Sequence, residues 1–213
     1  MNQKKSQGMN PVVKVGLGCC ALLGLLIVGF CVASMVWAQG LATIDGPKTA
    51  QRYSSTVGTG LPPSVTPRFS IDTSPAPIAA TFAADAEPTK LTLIAVKMPP
   101  SQGQPMPEHE MAWKQIVGPF APQMQQLGVS LMTAEAMLIS DTGAAETKDL
   151  EIDGKTFKIT VIPCKHTSGT ELKRIYVKLK GDGSTTAGLF AVGSKDDFDN
   201  DTFEAALKGA TPR

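Results

Sequence analysis

The sequence predicts an α+β domain, an antiparallel sheet with helices packed on one face, preceded by one N-terminal transmembrane helix. Three observations lead there. No charged residue occurs between Lys14 and Asp45, and 15–38 is almost continuously apolar. The C-terminal half alternates apolar and polar residues with a period of two, interrupted by turn sequences. Stretches near 108–127 and 201–208 carry apolar residues at helical spacing, suited to cover the inner face of a sheet. The expected organisation is a cytoplasmic N-terminus at 1–14, the transmembrane helix at 15–38, a tether at 39–66 and an extracytoplasmic α+β domain at 67–213.

As a helix, 15–38 would be about 36 Å long, enough to cross a hydrocarbon core of about 30 Å. Lys4, Lys5 and Lys14 precede it with no acid, whereas Asp45, Lys48 and Arg52 follow as a mixed set. A short basic flank stays in the cytoplasm, so the bulk of the chain is expected outside, with the bilayer itself as a partner. Val36-Trp37-Ala38 offers a second expectation, because small residues flank a signal-peptidase position and the domain would then be secreted after cleavage. The apolar run exceeds the usual hydrophobic region of a signal peptide, which favours retention. Of the four cysteines, Cys19, Cys20 and Cys31 lie in this run and only Cys164 beyond it. The exported domain therefore has no intrachain disulfide and relies on a hydrophobic core.

Within 39–66, rich in Gly, Ser, Thr and Pro, Asp45-Gly46-Pro47 can start a short helix that Gly58 stops. That helix either packs on the domain or spaces it from the bilayer. Strands are expected at Arg68 to Thr73 and Ile78 to Ala84, and Leu91 to Val96 reads as a central strand, apolar on both faces. A helix begins near Glu108, with Met111, Trp113, Ile116 and Phe120 as its apolar residues, and Pro119 and Pro122 kink or break it. Ile152-Asp153-Gly154-Lys155 is a hairpin turn. Its register sets Leu150 opposite Phe157 and Asp149 opposite Lys158, which places Phe157, Ile159 and Val161 inward. After Thr167-Ser168-Gly169, Ile175, Val177 and Leu179 face in, and the next strand runs from Thr185 to Gly193. Asp201 with Glu204 reads as the capping box of a last helix that buries Phe203 and Leu207 and stops at Gly209.

Chemistry is thinly marked. There are 20 basic and 19 acidic residues, and once Lys4, Lys5 and Lys14 are set aside the exported part is slightly acidic, which gives no basis for nucleic-acid binding. Asp196, Asp197, Asp199 and Asp201 resemble a calcium loop but lack its central Gly and terminal Glu, so they read as carboxylates at a helix start. No phosphate loop, serine elbow or set of metal ligands is present in the sequence, so no catalytic, cofactor or metal residue is assigned. Cys164 and His166, two apart on one strand face, form the single enzyme candidate, a thiol nucleophile with its base and no third orienting group. Lys158, Arg174, Lys178 and Lys180, with Tyr176 among them, read as an outward basic row. Such a row could meet anionic headgroups or an acidic membrane or extracytoplasmic protein, or serve only to blunt a strand edge.

The layout resembles small PsbP-like domains of bacterial membrane proteins and lipoproteins over roughly 62–208. The residues that carry it are Pro62-Pro63, the Ile152-Asp153-Gly154-Lys155 hairpin, and Leu189-Phe190-Ala191-Val192-Gly193 through Phe198, Phe203 and Leu207. The resemblance implies an accessory or binding module without a shared catalytic set. The expectation from sequence is thus a membrane-tethered extracytoplasmic binding or accessory module, with the thiol-dependent enzyme as the alternative.

Overall fold

The computed structural model describes residues 42–73, 78–85, 90–99, 108–114, 139–181 and 185–213. The described chain enters at a two-residue strand, β1 (Ala42–Thr43), and turns at once into α1 (Gly46–Val57). Asp45 caps this helix by accepting from the Lys48 backbone N–H at 3.2 Å, and Gly58 ends it in the left-handed region at φ 83°. The helix buries Thr49, Tyr53, Thr56 and Val57. Of the two roles expected for it, it packs on the domain, chiefly against the following strand.

The remaining elements are β2 (Val65–Asp72), β3 (Ala79–Asp85), β4 (Thr92–Met98), α2 (Glu108–Ala112), β5 (Ile139–Asp141), β6 (Glu146–Ile152), β7 (Lys155–His166), β8 (Glu171–Leu179), β9 (Thr186–Ser194) and α3 (Asn200–Leu207). The strands form one antiparallel sheet in the order β1-β2-β3-β4-β9-β8-β7-β5, with β6 also paired to β7. β4 and β9 lie side by side at its centre and are buried along nearly their whole length. Their continuous apolar sequences follow from that position, since a central strand covered on both sides meets no water on either face.

The β6–β7 hairpin has the register its sequence predicts. Ile152 pairs with Lys155, Leu150 with Phe157 and Asp149 with Lys158. The turn puts Asp153 at φ 50° and Gly154 at φ 72°, the paired left-handed conformation whose twist suits two antiparallel strands. β5 and β6 share the same edge of β7 and are separated opposite Pro163. In this register the main chain of Pro163 points to that edge, where its carbonyl accepts from the Thr142 N–H at 3.0 Å. Proline has no N–H to return, so the ladder is interrupted there.

Two cores result, one on each face. On the first, α1 and α3 supply Tyr53, Val57, Phe203 and Leu207 to Leu93, Phe157, Val177 and Leu189. On the second, Met111 and Trp113 meet Phe82, Ile94, Val96, Phe190 and Val192. The expected fold class is corrected accordingly. The described chain is mostly a curled antiparallel sheet with few helices, and those helices are divided between its faces instead of packing on one. The reason is the double-sided apolarity of β4 and β9, which requires cover on both faces. Among the described residues no helix is long and apolar enough to cross a membrane. The longest, α1, has 12 residues, or about 18 Å, well short of a bilayer core. The transmembrane helix expected at 15–38 lies outside the described residues, as do Ile116, Phe120 and the rest of the helix expected to run to 127. The membrane expectation thus finds no support in the fold. A smaller correction concerns α3. Its cap is Asp199, which accepts from the Thr202 N–H at 2.9 Å, while Asp201 lies within the first turn.

Candidate functional site

The most concentrated group of polar and aromatic side chains lies where α2 meets the second face of β8 and β9. Alternation along β8 sends Leu172, Arg174, Tyr176 and Lys178 to this face, as the sequence implies. They do not reach water as a row. Arg174 is 1% exposed and Tyr176 5%, because Ile162 and Val192 flank Arg174 on the neighbouring strands and α2 covers both. The Arg174 guanidinium sits over the Trp113 ring at 4.3 Å, and its Nη2 donates to Asp141 Oδ1 of β5 at 2.8 Å. Trp113 in turn packs edge-on against Phe190 at 5.1 Å between centroids. Tyr176 lies against Phe190 at 4.8 Å and against His109 at 6.2 Å. Lys178, half-buried, donates to Glu108 Oε2 at the start of α2. Gly188 gives Tyr176 its place, since a Cβ there would stand 2.6 Å from Tyr176 Cε2.

The basic partner face is corrected by these positions. Arg174 and Tyr176 belong to the second core and Lys178 is engaged with Glu108, while Lys158 and Lys180 are exposed. The sequence contained a signal for this. β9 is apolar on both faces, so the second face of its neighbour β8 had to be covered as well. Proximity to a double-sided strand, more than alternation, decides whether an outward residue meets solvent.

The electrostatics of the cluster favour structure over proton chemistry. Burial lowers the Arg174 guanidinium from its ordinary value, and Asp141 opposes that shift, so the guanidinium stays charged. Burial, with Glu108 adding to it, holds the Tyr176 phenol protonated well above its usual range. His109 is lowered by burial first and then by Arg174, so its imidazole is kept neutral.

Cys164 and His166 fall on the same side of β7, as expected, but do not form a working pair. Cys164 is buried, and burial pushes its thiol up to about 11. An activated nucleophile needs the opposite shift. His166 Nδ1 accepts from the Ser168 backbone N–H at 3.1 Å and lies 2.7 Å from the Ser168 hydroxyl, which turns the ring toward its own turn. A cavity of about 310 Å³ opens nearby, lined by Thr142, Pro163, Cys164, Lys165, Glu171, Leu172 and Lys195. Lys195 spans part of its rim to Glu171 at 2.9 Å. Among the described residues no three His, Cys, Asp or Glu side chains gather closely enough to hold a metal ion. Asp199, in the acidic run before α3, is occupied as the cap.

No protein-family model matches the chain, and no curated protein matches it either, so these comparisons leave its family and the PsbP-like resemblance without a test.

Proposed function

We propose that this protein is a binding or accessory module acting outside the cytoplasm at a membrane, and that it takes its partner along the outer edge of β6. The uncharged 15–38 run behind Lys4, Lys5 and Lys14 supports the location, as the segment that holds or delivers the domain. The observation that carries the role is the edge itself. Cores close both faces over the central strands, while β6 is exposed from Glu146 to Asp149 and pairs with β7 alone among the described strands. Its free main-chain groups suit an added extended segment, and its alternating charges restrict which segment fits.

The hairpin register supplies the test. A two-residue turn makes Ile152–Lys155 a hydrogen-bonded pair, so bonding alternates from there and the N–H groups of Thr147, Asp149 and Glu151 point outward. Thr147→Pro removes an outward donor and leaves the β6–β7 bonds in place. A partner co-purified with the full chain from native membranes is expected to be lost with Thr147→Pro and with Asp149→Pro, at unchanged folding. Retention of every partner by both variants sinks the edge as the binding surface. The mass of the mature chain separately decides whether 15–38 is retained.

A further inference from the structure

The outer side of β6 carries a pattern of charge that constrains what can pair with it. Glu146, Thr147, Lys148 and Asp149 are all exposed, as are Gly143, Ala144 and Ala145 just before them. Glu146 and Lys148 stand two apart, so their side chains share one face, and Lys148 Nζ reaches Glu146 Oε2 at 3.0 Å. Alternation in the ladder to β7 leaves the main-chain groups of Thr147, Asp149 and Glu151 facing outward, and Ala145 continues that series.

An antiparallel copy of the same strand is constrained further by symmetry. The two-fold axis stands perpendicular to the sheet. Outward groups must meet outward groups, so the axis passes through a residue and not between two. Each choice of residue then fixes every cross-strand pair. Within β6, an axis at Glu146, Lys148, Asp149 or Glu151 sets a charge against its own copy. At Leu150 it sets Asp149 against Glu151, and at Ile152 it sets Glu151 against Asp153. An axis at Thr147 places no like charges opposite one another from Gly143 to Glu151. The uncharged threonines face each other, Glu146 faces the second copy's Lys148, Lys148 faces its Glu146, and Asp149 faces Ala145. Glu146 and Lys148 then form the non-hydrogen-bonded pairs, whose side chains approach most closely. Their charges make a ring in which each neighbour, along a strand or across the pair, has the opposite sign.

We infer that the β6 edge takes a second copy of this chain, paired antiparallel about Thr147 into a closed two-fold dimer. The inference rests on β6 as the binding surface and names its occupant. Each copy has one such edge and the pairing uses both, so assembly stops at two.

Full chains carrying two different tags and co-expressed test the pairing. Parent copies should capture each other. Glu146→Lys alone and Lys148→Glu alone should each reduce self-capture about tenfold, since both cross-strand pairs become like-charged. Glu146→Lys on one copy with Lys148→Glu on the other should restore capture, because every cross-strand pair again has opposite signs. Restoration also shows that both variants fold. No capture between parent copies, capture unchanged by either single variant, or capture that mixing fails to restore overturns the dimer. If the dimer falls while Thr147→Pro still loses another partner, the edge remains a binding surface and only its occupant changes. If Thr147→Pro leaves both self-capture and every other partner in place, both readings fall.

Discussion

On the first face of the sheet, Phe157, Ile175, Val177 and Leu189 meet side chains of α1 and α3 in a mostly apolar core. On the second, Phe190 and Val192 share their surroundings with Tyr176, with Arg174 paired to Asp141 of β5, and with one short helix tied to β8 by the Glu108–Lys178 ion pair. The same strands build both. The first face is held by area removed from water, which depends little on pH. The second is held by a few directional contacts, each dependent on its neighbour: Asp141 on Arg174, Arg174 on Trp113, Trp113 on Phe190. A face of the second kind can be specific and still be close to balance, because unpaired polar atoms offset what its contacts gain.

The largest expected effect tests the contrast directly. Phe157→Ala should cost about 3–5 kcal/mol in denaturant unfolding, since it leaves a cavity in the first core. Arg174→Met keeps much of the volume over Trp113 and should change stability by only about 1 kcal/mol, because it removes the desolvation of a buried guanidinium and leaves Asp141, 45% exposed, to be solvated by water. Equal losses from the two substitutions would show that the second face depends on its charges as strongly as the first on its area.

A sharper probe of the second face is Gly188→Ala. The added methyl would stand 2.6 Å from Tyr176 Cε2, so the ring must move from Phe190, at a cost of about 1–3 kcal/mol. Tyr176→Leu in the same background should relieve part of it, and strict additivity in that double-mutant cycle would break the proposed contact.

Smaller effects belong to the ends of the elements. Asp199→Ala should cost about 1 kcal/mol and Asp201→Ala about 0.3 kcal/mol, distinguishing the cap from a carboxylate that merely sits in the first turn. The Thr202 backbone N–H holds the Asp199 carboxyl below its usual range. Its contribution is therefore complete above the ordinary aspartate value of 3.8 and is lost as pH falls through the lower folded value, where the variant and parent should converge.

The smallest effect on stability at neutral pH concerns Cys164. With its thiol raised from 9.0 to about 11, alkylation at pH 7 should be about 100-fold slower than that of an unperturbed thiol. Because the folded value is the higher one, this group destabilises the fold only as pH rises from about 9 towards 11. Fast modification at neutral pH would reopen the thiol-enzyme reading.

Local sequence determined a good deal here. Asp45 and Gly58 bound α1, Asp153-Gly154 sets the β6–β7 register, and the two-sided apolarity of Leu91–Val96 and Leu189–Val192 marks the two central strands, because each depends on residues within a few positions of one another. Alternation also assigned Arg174 and Tyr176 to the correct face. What it could not decide was whether that face meets water. That depends on α2 and the residue after it, since Glu108, His109 and Trp113 arrive from more than sixty positions away to cover β8. Face is a property of the backbone period and is carried by each strand alone. Burial is a property of what packs on that face, and only the tertiary structure, by bringing α2 to β8 and β9, turned a basic strand face into a core.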